Sequence, residues 1–273
     1  MLGGRGKREV SIFDPSSNRW QAGAAPPVNL HHFQPVAFDN KIWVLGAFVG
    51  DFPSETPVSQ IYTYTPATNR WQTVGTIPVN RRRGSAGAVV RNGLIYILGG
   101  NTRGHHAGAV RWFDRYNPTT GQWTVLNDAP NARDHFTIAA GNDRLVAAAG
   151  RRSAFPNVWG DTLSATDVYD FNTGRWNNGR AIPTQRAGTM TVSVGEEVIV
   201  IGGETLGNAN AHNQVEAYNV RTNQWRRLQS LRQARHGGAA AVLTDRIHVV
   251  AGSERRGGAP ESTAHETLTI TRR

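Results

Sequence analysis

Apolar residues fall in short runs separated by polar turns. Residues 42–45 (IWVL), 94–98 (LIYIL), 198–201 (VIVI) and 247–250 (IHVV) are β-branched and aromatic, and each run reaches a glycine at once or one residue later. Runs of this length and composition predict strands, not helices. A tight-turn pair stands just ahead of each strand of this kind: Asp39-Asn40, Asn92-Gly93, Asn142-Asp143, Gly195-Glu196 and Asp245-Arg246. Each predicts a hairpin. The strand entering the hairpin is made of small residues, as in 84–90 (GSAGAVV) and 237–242 (GGAAAV). Small side chains suit a strand crowded by its neighbours. No stretch of ten or more residues carries a 3.6-residue apolar period, so the pattern predicts an all-β chain.

A longer period overlies the short one. Trp20, Trp71, Trp123, Trp176 and Trp225 are separated by 51, 52, 53 and 49 residues. Seven residues before each stands an aromatic: Phe13, Tyr64, Tyr116, Tyr169 and Tyr218. A glycine follows each Trp by 26 to 28 residues, at Gly46, Gly99, Gly150, Gly202 and Gly252, and Gly3 begins the series. Three of the six are Gly-Gly pairs: Gly3-Gly4, Gly99-Gly100 and Gly202-Gly203. Each repeat then reads as four strands that cannot bury both faces alone and must stack on their neighbours. Tyr and Trp are expected to fill the wedge between sheets.

Gly-Gly, then Tyr, then Trp, at an interval near fifty, resembles the kelch repeat over the whole chain. The resemblance implies a kelch-type β-propeller of six blades, each of four antiparallel strands. It would form one domain over 1–273, with blades at approximately 1–29, 30–80, 81–132, 133–185, 186–234 and 235–273. Gly46-Ala47, Gly150-Arg151 and Gly252-Ser253 depart by keeping only the first glycine, and the last repeat has no Trp. The first and last blades are incomplete. About 27 residues, a fourth, a first and a second strand, would complete them by the Trp-to-Gly spacing. The expectation is an N-terminally truncated chain. The alternative is an open ring that self-associates through its exposed blade edges.

Composition narrows the chemistry. The chain has 273 residues, a net charge of +10 and no cysteine. Disulfides, thiol nucleophiles and zinc–thiolate sites are excluded. So is the Tyr–Cys cofactor of the copper-radical, galactose oxidase-like branch of such propellers. The bases are arginine except Lys7 and Lys41. An excess of this kind attracts anionic partners. The basic residues are not interleaved with exposed aromatics, so nucleic acid is not the expected ligand. No run is long enough to span a bilayer as a helix.

In the repeat, an arginine stands ten residues after Trp at Arg81, Arg133, Arg186 and Arg235, and Leu30 takes that place in the first repeat. Arg82, Arg83, His31, His32, His135 and His236 lie beside them. Arg103, His105, His106, Arg151, Arg152, Arg255 and Arg256 fall in the loops after the second strands. In kelch rings these loops share one face. The resemblance therefore implies a rim on which Arg81, Arg82, Arg133, His135, Arg151, Arg186, Arg235 and His236 bind a carboxylate or phosphate. An arginine that recurs at one place in the repeat can equally serve the fold, by satisfying loop carbonyls or pairing with a neighbouring blade.

The chain carries no nucleophile elbow, P-loop or HExxH motif. Glu204, Asn208 and His212 are spaced like the iron triad of plant nitrile-specifier kelch proteins, but Asn replaces an Asp, and no metal or cofactor is expected. Asp161, Asp167 and Glu216 are further acids with no partner in sequence. The reading is a non-catalytic binding module for an acidic protein segment or another anionic ligand. The alternative is an enzyme acting on an acidic sugar, similar to bacterial N-acetylneuraminate epimerase, with Glu204 and His212 as acid and base.

Overall fold

The structure is a computed structural model that describes residues 1–6 and 9–269. The chain divides into two compact units, Met1–Asp128 and Ala129–Arg273. The first contains a hairpin, Val10–Asp14 with Arg19–Gly23, and two four-stranded sheets. One sheet is Val36–Phe38, Lys41–Val44, Gln60–Thr65 and Arg70–Thr76. The other is Gly87–Arg91, Leu94–Leu98, Phe113–Tyr116 and Trp123–Val125. The second unit contains Ala139–Gly141, Arg144–Ala148, Thr166–Asp170 and Arg175–Gly179, then Met190–Val194, Glu197–Ile201, Val215–Asn219 and Gln224–Arg227. It ends with a three-stranded sheet, Ala239–Leu243, Arg246–Val250 and His265–Thr269. Every sheet is an antiparallel meander, its strands paired in chain order. We call the strands A to D in that order.

Among the described residues there are five blades, four complete and one of three strands, so the expectation of six is corrected. Gly3-Gly4 leads only the N-terminal hairpin, which corresponds to strands C and D. The last strand C was expected near 265–271; it is observed at His265–Thr269, and 270–273 lie outside the described residues. No α-helix occurs among the described residues, only two single-turn 3-10 segments, Pro66–Thr68 and Val79–Arg81.

The seven-residue aromatic spacing is the length of the C–D hairpin. Phe13, Tyr64, Tyr116, Tyr169 and Tyr218 each lie directly across from Trp20, Trp71, Trp123, Trp176 and Trp225. Their ring centroids are 5.1 to 6.0 Å apart, a distance at which tilted aromatic pairs attract. The tyrosines are buried, whereas the tryptophans are partly exposed. Tyrosine therefore fills the space between blades and tryptophan covers its edge. An asparagine in the hairpin loop completes the joint. Asn69 Oδ1 accepts from Tyr64 Oη (2.8 Å) and from the amide of Ala24 (2.6 Å), while Trp71 Nε1 donates to Ala24 O (2.7 Å). Asn223, Tyr218, Trp225 and Arg180 repeat the arrangement. A Cβ on Gly23 or Gly179 would come within 2.6 Å of the tyrosine hydroxyl, so glycine is required at both.

The A–B turns form where expected in four blades. Asp39, Asn40, Asn92, Gly93, Asn142 and Gly195 adopt the positive φ that two-residue hairpins need. In the fifth blade the turn is Thr244-Asp245, one residue earlier than the sequence implies, with Thr244 at φ 57°. The glycine after strand B is also reassigned. In the third and fifth blades the first of the two left-handed positions is Ala149 (φ 63°) and Ala251 (φ 55°), and Gly150 and Gly252 occupy the second. At the second position a Cβ would press on the backbone oxygen of Gly84, Asp134, Ala187 or His236.

An arginine just before strand A holds four of the five blades together. Arg186 donates to Gly202 O (2.6 Å), Val200 O (3.2 Å) and Thr184 O (2.6 Å), and pairs with Glu216 at 2.5 Å. Arg133 bonds Ala149 O and Ala165 O and pairs with Asp167 at 2.7 Å. Arg235 bonds Gln233 O and Ala264 O and pairs with Glu266. In the second blade the equivalent residue is Arg83, not Arg81: it donates to Gly99 O (2.8 Å) and Ile97 O (3.1 Å) and pairs with Asp114 at 2.7 Å. Each acid stands two residues before the strand C aromatic, or before Leu268 in the fifth blade. The first blade replaces both partners with apolar residues, Leu30 and Tyr62, which are 0% and 5% exposed and share one cluster.

Truncating one partner of a buried ion pair strands the other charge, at a cost of about 3–5 kcal/mol. Arg186→Ala is expected to lose stability of that order in urea unfolding. Arg186→Leu combined with Glu216→Tyr copies the first blade. Its loss should be smaller than the sum of the two single losses, by a coupling on the order of 1–3 kcal/mol.

Candidate functional site

The frame just described leaves specific positions for chemistry. Immediately after the strand A arginine, a residue pairs through its backbone with the residue that follows the glycine turn of strand B. The pairs are His31 with Phe48, Gly84 with Asn101, Asp134 with Arg151, Ala187 with Glu204, and His236 with Ser253. The next residue is left-handed in every blade: His32, Ser85, His135, Gly188 and Gly237. Backbone geometry at these positions repeats while the side chains differ from blade to blade. Variable chemistry on a repeated frame marks the candidate site.

In the second unit these positions build one buried network. Arg151 Nη1 donates to Glu204 Oε1 at 2.6 Å, and its Nε donates to Ser153 Oγ at 3.0 Å. Ser153 Oγ in turn donates to Asp134 Oδ1 at 2.7 Å, and its amide donates to Asp134 Oδ2 at 3.0 Å. His135 Nδ1 lies 2.5 Å from Asp134 Oδ1. Glu204 Oε2 accepts the amide of Gly257 at 3.0 Å and lies 3.5 Å from His236 Nε2, which also donates to Arg255 O at 2.9 Å. Burial raises the Glu204 carboxyl's pKa, but the charges of Arg151 and His236 and the Gly257 amide outweigh it, holding it below the usual range. Ser153 sends its proton to a carboxylate and receives one from Arg151, so it is not poised as a nucleophile.

In the first unit the corresponding positions of the first blade hold histidines, His31 and His32. His31 Nδ1 and His32 Nδ1 are 2.8 Å apart, and His31 Nε2 donates to Gly50 O at 2.9 Å. His105 Nδ1 lies 2.7 Å from Glu55 Oε1, and Arg5 also bonds that carboxylate. Burial raises the Glu55 carboxyl's pKa, and the hydrogen bonds and charge from His105 and Arg5 bring it well below its ordinary value.

The residues singled out from sequence divide accordingly. Arg133, Arg186 and Arg235 are at most 1% exposed and serve the blade frame, so they form no exposed guanidinium rim. Arg81 grips Asp114 through Nε and Nη2 and lies over the Trp112 ring at 4.4 Å. Arg82, half-buried, donates to Ile77 O. His135, Arg151, Glu204 and His236 are brought into the buried network. Glu204 and His212 have separate partners. His212 is bonded to Thr205 Oγ1 and Gln214 Oε1, and burial followed by the Arg186 charge lowers its pKa. Asn208 is exposed, and Glu204 is held by Arg151, so the spacing of the three does not correspond to a shared ligand set. Asp167 and Glu216 are frame acids, and Asp161 forms an exposed pair with Arg152. Sequence reasoning missed Asp134, Ser153 and Glu55. Asp134 carries a legible signal, the fixed offset of one from the frame arginine.

Comparison with known proteins places this geometry in a family. A family model described as the KLHDC2/KLHL20/DRC7 Kelch-repeats domain matches residues 36–252. Kelch-like protein terF of Aspergillus terreus is 29% identical over 253 residues, covering 89% of this chain and 54% of that protein. Kelch-like protein 38 of Mus musculus is 21% identical over 257 residues, covering 92% of this chain and 42% of that protein. The chain thus spans about half the length of these curated relatives. The solved structure of YjhT superposes with a TM-score of 0.76 over 92% of this chain and 85% of that one; at 16% identity it shares the fold.

The depressed Glu204 pKa fixes a sign. An acid held below its unfolded value stabilises the fold above that value and loses the contribution as pH falls through the native pKa. Glu204→Gln should therefore be less stable than the parent at pH 7, and the deficit should shrink steadily below about pH 4.5, read by urea unfolding across pH.

Proposed function

The chain belongs to the kelch-repeat family of β-propellers, and from that premise we propose that it is a non-catalytic binding module whose loops engage an acidic segment of a partner protein. The observation that carries the reading is where the charges are spent. Asp114, Asp167, Glu216 and Glu266 are consumed by the blade frame. Glu55, Asp134 and Glu204 are buried within the loop networks. Arg103 and Arg255, in the loops after strand B, remain exposed, and Arg152 is exposed in a pair with Asp161, in a chain of net charge +10. Guanidinium groups on loops held by a rigid scaffold suit bidentate carboxylate recognition. The named relatives are kelch-like proteins, in agreement with a binding role.

A second reading, an enzyme acting on an acidic sugar, draws on one contact. Glu204 lies 3.5 Å from His236 Nε2 and is bonded to Arg151, so a carboxylate and an imidazole stand together beside a guanidinium. His236, not His212, would then be the partner of Glu204 in proton transfer.

Two experiments separate these readings. Under the first, a poly-Asp/Glu peptide raises the melting temperature, and the shift fades as salt is added. Replacing Arg103, Arg152 and Arg255 together by Ala leaves folding intact and weakens peptide binding about tenfold or more at low salt. An unchanged affinity in that variant would overturn the proposal. Under the second, the protein accelerates interconversion of N-acetylneuraminate anomers in proton NMR, and Glu204→Gln abolishes it. A rate equal to that in buffer rejects the enzyme.

A further inference from the structure

We propose that His32 and His105 form a binding site for a borderline divalent transition-metal ion such as Zn2+, with His31 and Glu55 orienting them. The two residues are far apart in sequence. His32 occupies the left-handed position before Val36–Phe38, at φ 49°. His105 lies in the loop between Asn101–Arg103 and Ala107–Ala109. The fold sets their rings edge to face, with centroids 5.4 Å apart and planes at 80°. A ring nitrogen of each lies within 4.8 Å of the other. Two imidazoles on one zinc ion place their nitrogens roughly 3.3 Å apart, given metal–nitrogen bonds near 2.0–2.1 Å. That separation falls within the 4.8 Å bound on the two nitrogens.

The hydrogen bonds around the pair select the form of imidazole that binds metal. His31 Nε2 faces the carbonyl of Gly50 and must carry a proton to donate to it. His31 Nδ1 is therefore the acceptor in its 2.8 Å contact with His32 Nδ1. His32 is then protonated at Nδ1 and has its lone pair on Nε2. His105 Nδ1 lies 2.7 Å from the Glu55 carboxylate, and a proton held there by the anion leaves the lone pair on Nε2. A carboxylate behind a histidine is the outer-shell arrangement that fixes the tautomer and raises the basicity of a metal ligand. The support is rigid, because His31, Glu55 and His105 are 1%, 3% and 4% exposed, and the amide of His105 also donates to Glu55 Oε2. Arg5 bonds the same carboxylate, so its charge is set against an anion. Imidazole donors without thiolate favour Zn2+, Co2+, Ni2+ or Cu2+ over Mg2+ or Ca2+.

This proposal is independent of the acidic-partner reading and is tested without peptide. The untagged full chain is stripped with EDTA and desalted. It is then titrated with Co2+, followed by its visible d–d absorption, and with Zn2+, followed by calorimetry. One equivalent of each is expected to bind, and Zn2+ should displace Co2+. His32→Asn keeps a residue that accepts left-handed φ and should lower affinity at least a hundredfold. His105→Gln should do the same. Glu55→Gln, which leaves both ligands in place, should lower it roughly ten- to a hundredfold. His106→Ala removes a neighbouring exposed imidazole and should bind as the parent does. Circular dichroism establishes that each variant is folded. If His105→Gln fails to fold, His32→Asn alone decides. Absence of stoichiometric Co2+ uptake by the parent overturns the proposal, as does a folded His32→Asn variant with parental affinity.

Discussion

The buried arginine–carboxylate pair is the interaction on which four of the five blades depend. A guanidinium group presents five donors in a plane, and here they reach two strands and a loop at once. In Arg186 they meet the last carbonyls of strand B, a carbonyl of the incoming loop, and the Glu216 carboxylate on strand C. Strand B must leave the sheet here through two left-handed residues, which would leave its carbonyls without ladder partners. The arginine supplies those partners in a space that excludes water. The carboxylate then makes burial of the charge tolerable. Burial lowers the pKa of Arg83 to about 10, with the charge and hydrogen bond of Asp114 opposing it.

The first blade shows that the device is one solution of two. Leu30 and Tyr62 occupy the same two places and join an apolar cluster with Val44, Ala47 and Val58. The exchange is concerted: both charged partners are absent together, and neither a lone arginine nor a lone acid remains. A single exchange would leave an unpaired buried charge, whereas the double exchange trades electrostatics for packing. The same frame then delivers unlike residues to equivalent loop positions, among them His31, Asp134 and His236. Invariant backbone and variable side chains are the condition under which a repeated fold can carry a site.

Much of the fold is legible in the sequence because its causes are local. The Tyr–Trp interval is the length of one hairpin, and the turn pairs adopt positive φ because Asn, Asp and Gly tolerate it. The errors have local causes too. Alanine at Ala149 and Ala251 takes a conformation usually left to glycine, so counting glycines displaced the motif by one residue. Two extra residues before strand A in the second blade moved the frame arginine from Arg81 to Arg83, and counting from Trp71 missed it. The acid two residues before each strand C aromatic is equally visible in the sequence. Paired with the arginine, it would have identified the frame.

The loop networks were only partly legible. His135, Arg151, Glu204 and His236 stood out as charged residues near repeat positions, yet their burial and mutual pairing could not be read from spacing. His32 and His105 are adjacent in space only because strands A and B of neighbouring blades bring their loops together. The sequence by itself determined the β repeat, the hairpin turns, the aromatic joints and the absence of thiol chemistry, since each depends on residues close along the chain. Only the tertiary structure decided which arginines are spent inside the blades and which remain exposed, and which histidines meet. Those outcomes rest on burial and on contacts between residues thirty or more positions apart, and local sequence encodes neither.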